Sequence, residues 1–164
     1  MNDLATLTRL LENLIRFGTI AEVDHGDPAQ QKQPRVRVQT GTLLTAWLPW
    51  LSPRAGADRE WNPPTVGEQV ILLSPSGQLA NGVAITGLFS EHIPANGDRA
   101  GLHRSTYRDG AVIEYDSAAH TLTATIPGSA AITTSGNISL TSQGDISITA
   151  AGNFTVTAAR VDLN

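Results

Sequence analysis

Cysteine is absent from this chain of 164 residues, so disulfides and thiolate chemistry are excluded. Aromatic residues are scarce, with three Trp, two Tyr and three Phe. A broad core packed with large side chains is therefore not available. Positive charge does not dominate either. The formal net charge of −4 gives no general field favouring nucleic acid or an anionic membrane. No stretch approaches the roughly eighteen apolar residues of a membrane-spanning helix. The opening MNDLATLTRLLENLIRFG sets Asp3 and Glu12 among its leucines. With no basic start and no long apolar run, it does not read as a secretion signal. The length suits one ordinary domain or two small ones.

What is present begins with a helical pattern. Leu4, Leu7, Leu11 and Leu14 recur at helical spacing, widened by Leu10 and Ile15. This predicts an amphipathic helix over residues 1–16, stopped near Gly18 and docked on its own domain or on another subunit. From Phe17 the period changes. FGTIAEVDHG, PRVRVQTG, TLLTAWLPW, VGEQVILLSPSG and NGVAITGLF read as five short strands punctuated by Gly and Pro. LSPRAGADREWNPP is an excursion between two of them. Five strands over residues 17–90 fit a small OB-type barrel, although counting strands does not establish the topology. Such barrels often bind nucleic acid through a basic groove with stacking aromatics. Trp47, Trp50 and Trp61 lie near Arg35, Arg37, Arg54 and Arg59, but Asp58, Glu60 and Glu68 are mixed among them. The tryptophans read instead as core or interface anchors, and no nucleic-acid partner is expected.

Residues 91–108 are polar and without periodicity, which predicts a linker. His92 and His103 are too far apart for a tight metal-binding pair. AVIEYDSAAHTLTATIP then holds two alternating runs around DSAAH, a hairpin with His120 at its turn. No constellation of catalytic residues is apparent. Asp24 and His25 adjoin a turn, and Asp58 and Glu60 sit in a solvated excursion. The chain is not expected to be an enzyme.

The last third carries the most informative pattern. GNISLTSQ, GDISITAA and GNFTVTAA are eight-residue blocks starting at Gly136, Gly144 and Gly152, and GSAAITTS at Gly128 is a looser copy. Even positions carry Ile132, Ile138, Leu140, Ile146, Ile148, Phe154 and Val156. The odd positions carry mostly Ser, Thr and Asn. Alternation of period two means strand with one apolar face. A fixed repeat must stack on something. One octad covers at most about 26 Å, one side of a narrow prism, and three chains could supply three sides. The pattern predicts an intertwined trimeric β-prism with the even side chains at the axis and glycine where backbones turn sharply or approach closely. An unstructured low-complexity tail would leave the apolar register unexplained. Pairing of uncovered edges between separate molecules is conceivable, but interwinding satisfies those edges internally.

With these residues in view, the chain resembles the central baseplate spikes of contractile-tailed phages and phage-like bacteriocins, the phage P2 baseplate assembly protein V type. The resemblance rests on LLTAWLPWLSPRAGADREWNPPTVGEQVILLSPSG, NGVAITGLFS, DGAVIEYDSAAHTLTATIPGSA and the octads. It implies a mainly β homotrimer: an N-terminal helix, an OB-fold collar over residues 17–90, the linker 91–108, and a triple-stranded β-helix over 109–164. It implies a structural needle, made in the host cytoplasm and carried on the tail baseplate of a virion or phage-like particle. That needle would dock on hub proteins and pierce the bacterial outer membrane when the sheath contracts. A trimeric fibre or adhesin recognising a surface receptor is the alternative, and it would normally end in an aromatic-bearing knob.

The chain departs from this family in one respect. Spikes of the P2 type end in an apex where an H-x-H motif binds iron. Here no histidine follows His120, Arg160 stands where the next octad glycine would fall, and Val161 and Leu163 shift the apolar phase by one. Either the apex has been cut off, or a blunt needle is capped by a separate PAAR-type tip protein touching Val161 and Leu163. No cofactor is expected on the residues present.

Overall fold

The computed structural model describes residues 2–162. The chain divides into two compact units, one ending at Thr125 and one beginning at Ile126.

The first unit opens with helix α1, Asn2–Glu12. It ends earlier than its leucine pattern predicts. Leu14 lies in the following turn and Ile15 already belongs to strand β1, Ile15–Asp24. The physical reason is competition for backbone partners. Residues 15–19 pair with β4, from Ile15 opposite Leu73 to Thr19 opposite Gln69, and that ladder overrides weak helix propensity. Gly18 is therefore not a helix stop. A Cβ there would lie 2.4 Å from Val38 Cγ1 and 2.8 Å from the Gln39 carbonyl oxygen, so glycine lets β1 and β2 approach.

Strands β2 (Arg35–Thr40), β3 (Leu43–Leu44), β4 (Gln69–Leu73) and β5 (Val83–Leu88) complete an antiparallel sheet in the order β3-β2-β1-β4-β5. Alternation along β2 works as the sequence predicts: Val36, Val38 and Thr40 are buried, while Arg35, Arg37 and Gln39 lie on the other face. The core is Ile20, Val36, Val38, Leu48, Val70, Leu72 and Ala84, with Val23 and Trp50 packed against it.

Only two residues of TLLTAWLPW pair as a regular strand. The remainder closes the barrel. Leu48 exchanges both backbone hydrogen bonds with Val36, each 2.8 Å. Ala84 N–H donates to the Pro49 carbonyl and Leu51 N–H donates to the Ala84 carbonyl, each 2.9 Å. One short segment thus joins the two sides of the sheet, β2 and β5, and removes the edges an open sheet would leave.

The LSPSG turn has an equally specific task. Ser74 N–H donates to the Leu14 carbonyl at 2.9 Å. Gly77, at φ +67°, lies so close under α1 that a Cβ would sit 2.1 Å from the Leu10 carbonyl oxygen. The turn is the seat of the helix. In PTVGEQ, the Glu68 carboxylate accepts from Thr65 N–H at 3.1 Å and Gly87 N–H at 3.3 Å, tying β4 to the end of β5.

The segment expected to be a linker contains a strand. β6 (Leu102–Thr106), β7 (Val112–Asp116) and β8 (Thr121–Thr125) form an antiparallel sheet in that order. β7 and β8 are the predicted hairpin. Asp116 Oδ1 accepts from Ala118 and Ala119 N–H at its turn, and His120 takes a left-handed φ of 54°. β6 has no apolar alternation to announce it. Polar pairs hold it instead: Arg104 binds Glu114 across the strands, and its Nη1 donates to the Asn96 carbonyl at 2.9 Å.

In the second unit, residues 126–162 contain no helix or backbone-paired strand among the described residues. The chain bends at 127–128, 135–136, 143–144 and 151–152, and again at 159. The bends repeat every eight residues, and the second residue of each of the first four is an octad glycine.

Candidate functional site

The predicted axis residues all lie on the second unit and all are exposed in the single chain. Ile132 is 83% and Leu140 79% exposed, and Ile138, Ile146, Ile148, Phe154 and Val156 are each more than half exposed. Exposed singly, such residues are ordinary, but a ladder of seven is not. The odd positions are exposed as well, so nothing within one chain distinguishes the two faces. Over 128–162 the charged residues are Asp145, Arg160 and Asp162. Arg160 Nε donates to Asp162 Oδ1 at 2.8 Å.

Gly128, Gly136, Gly144 and Gly152 make no close approach within the chain. A Cβ on any of them would meet nothing within 4 Å, and none is among the glycines with positive φ. Their role inside one chain is the bend. Beside two of these bends, short polar side chains bond the backbone: Thr134 Oγ1 donates to the Gly136 carbonyl at 2.8 Å, and Gly144 N–H donates to Ser142 Oγ at 3.1 Å. Val161 is exposed, while Leu163 lies outside the described residues.

Of the residues weighed as catalysts, Asp24 and His25 are engaged in structural contacts. Asp24 binds Lys32 Nζ at 2.6 Å and accepts from Gly26 N–H at 3.0 Å. The Lys32 contact first, then the Gly26 bond, holds its carboxyl below the usual range. His25 lies edge-on to Trp61, with ring centroids 6.3 Å apart. The excursion between barrel strands is not loose. Ser52 Oγ donates to the Glu60 carbonyl at 3.0 Å and lies 3.2 Å from that of Arg54, and Glu60 N–H donates to the Arg54 carbonyl at 3.0 Å. Among the described residues, no three His, Cys, Asp or Glu are placed to hold a metal ion.

The tryptophans serve the barrel closure. Trp50 packs on the core and meets Trp61 at 5.9 Å, and the Arg37 guanidinium lies 5.8 Å above Trp47 while also binding Glu22. A cleft of about 710 Å³ lies beside Trp61, Phe89, Ile93 and Tyr107. Glu60 is the one carboxylate on its wall, which also carries the hydroxyls of Ser105, Thr106 and Tyr107.

One apolar surface escaped the sequence reading. Ile15, Leu73 and Val83 form a cross-strand row on β1, β4 and β5, and Phe17, Ile71 and Ile85 form the next. Both rows lie on the face opposite the core residues Val70, Leu72 and Ala84. The signal was the unbroken apolar run in QVILL, which marks a strand with both faces to cover.

Comparison with known proteins agrees with this geometry. Residues 16–89 match the family described as Type VI secretion system/phage-baseplate injector OB domain. That window runs from the start of β1 to just past β5, the barrel itself. A curated relative, the "Spike protein" of Escherichia phage P2, is 40% identical over 138 residues, covering 82% of this chain. The chain spans 63% of that relative's length.

Proposed function

Because the chain belongs to the phage baseplate spike family, we propose that it is the trimeric central spike of a contractile tail. The barrels of three copies form a collar, and their octads wind into a triple-stranded β-helix. The needle is driven through the bacterial outer membrane as the sheath contracts. Its work is mechanical, with no cofactor and no bond chemistry. Its partners are two further copies, the baseplate hub proteins and the membrane during penetration.

The observation that carries this reading is the octad ladder. Seven large apolar residues at even positions have no cover in their own chain, and the backbone bends every eight residues. Burying each such side chain is worth about 1.5–3 kcal/mol, so a ladder of them strongly favours association. Three octads around one axis give every strand two neighbours, which a dimer of single strands does not.

Sedimentation equilibrium across a dilution series tests the reading. The expected mass is that of three chains at every concentration, with a narrow needle in negative-stain images. A stable, folded monomer overturns it, and a knobbed fibre favours the adhesin alternative.

A further inference from the structure

We infer that the collar is locked by exchange of α1: the leucine stripe of one copy seats on the outer barrel face of the next. The inference rests on the trimeric reading above and names a second interface within it. Two observations carry it. The first is an unpartnered helix face. The helix is gripped through the Leu10 backbone by the Gly77 turn, yet Leu4, Leu7 and Leu11 stay exposed, Leu4 at 74%. The second is the pair of apolar rows on the outside of the barrel. Outer barrel faces are normally polar, and on β2 the corresponding positions are Arg35, Arg37 and Gln39. Across β1, β4 and β5 two adjacent rows are apolar before the face turns polar at Thr19 and Gln69, with Phe17 and Ile15 nearly two-thirds exposed.

The occupant follows from symmetry and size. A closed three-fold ring uses heterologous contacts, so each copy must display two different patches that fit each other. This chain displays two such patches in its first unit, and neither covers the other. They match in dimension. Leu4 to Leu11 extends about 10 Å along a helix, and three adjacent strands place their outer members about 10 Å apart. Both patches are free of charge, so neither leaves an ion to be desolvated.

Because the chain has no cysteine, a crosslinking test needs no background removal. Two full-length chains of different mass are co-expressed, one carrying Leu7→Cys and the other Phe17→Cys. Both positions are exposed in the single chain, so the substitutions are compatible with its fold. The mixture is treated with a short bismaleimide, and its mass is measured by sedimentation on the same sample. The expected result is a crosslinked pair containing one chain of each mass, and no product from either variant alone. A trimer without the mixed product overturns this interface and leaves both faces for another baseplate protein. Crosslinking by Leu7→Cys alone also overturns it, because the helices would then meet one another. A monomer overturns the trimeric reading, and this interface with it.

Discussion

The barrel and the tail use the same side chains in the same alternation, with opposite results. In β2, Val36 and Val38 are completely buried, whereas Ile132 and Leu140 in the octads are about four-fifths exposed. The difference lies in the supply of partners. β1 is flanked by β2 and β4 from its own chain, and residues 48–51 close the sheet. Among the described residues, the octads have no pairing strand within their chain. Period-two alternation therefore specifies an apolar face. Whether that face is covered depends on how many strands the chain brings to it.

The sharpest way to break this comparison is to charge the tail. In the proposed trimeric shaft, Ile148→Asp would gather three carboxylates in an apolar interior, at a cost of several kcal/mol for each unpaired ion. We expect loss of the trimeric shaft in thermal melting and sedimentation, while Ser147→Asp leaves the shaft melting almost unchanged. Destruction by Ser147→Asp but not by Ile148→Asp would reverse the assigned faces. A one-residue slip exchanges the two faces of every strand, so the pair of variants tests the whole register.

A smaller effect contrasts glycines of the two regions. Gly77→Ala imposes a left-handed backbone on alanine, about 1–2 kcal/mol, and drives Cβ into the Leu10 carbonyl. It should lower the melting of the barrel unit by several degrees. Gly144→Ala meets nothing in its own chain, so the barrel unit should melt as before. Only the shaft transition should fall, through crowding by neighbouring chains. Two transitions followed by circular dichroism would separate these effects, and a Gly144→Ala shaft of undiminished stability would limit the octad glycines to bending.

The smallest expected effect concerns the polar β6–β8 sheet. Asp116 binds Arg99 at 2.6 Å. That hydrogen bond first, then those from Ala119 and Ala118 N–H, lowers the carboxyl below its ordinary value of 3.8. Stabilisation from a lowered pKa is fully present above 3.8 and is lost as pH falls through the lowered value. Acid titration should show this small loss developing as the pH falls from 3.8 towards the lowered value. Asp116→Asn should remove the pH-dependent part, and an unchanged acid profile would show that the pair contributes nothing.

Much of the architecture was readable in advance where it depends on near neighbours. The inward set of β2, the β7–β8 hairpin and the octad period all follow from residues two or eight apart. The end of α1 was not readable, because Leu14 and Ile15 fit the helical stripe, yet Ile15 gains more by pairing with Leu73. β6 was hidden because LHRST is held by Arg104 and its polar partners, not by an apolar face. The apolar outer rows were half visible in QVILL, but which residues lie beside Ile71 and Leu73 required the register.

By itself, the sequence determined the absence of disulfide chemistry, the eight-residue repeat and the existence of an apolar face in the tail. These depend on composition and on spacing along the chain. The tertiary structure decided that WLPW closes the barrel, that LSPSG seats the helix and that β1 begins at Ile15. Each of these joins residues far apart in sequence, such as Leu48 with Val36 and Pro49 with Ala84. Their pairing is settled by which backbone groups find partners once the chain has folded back on itself.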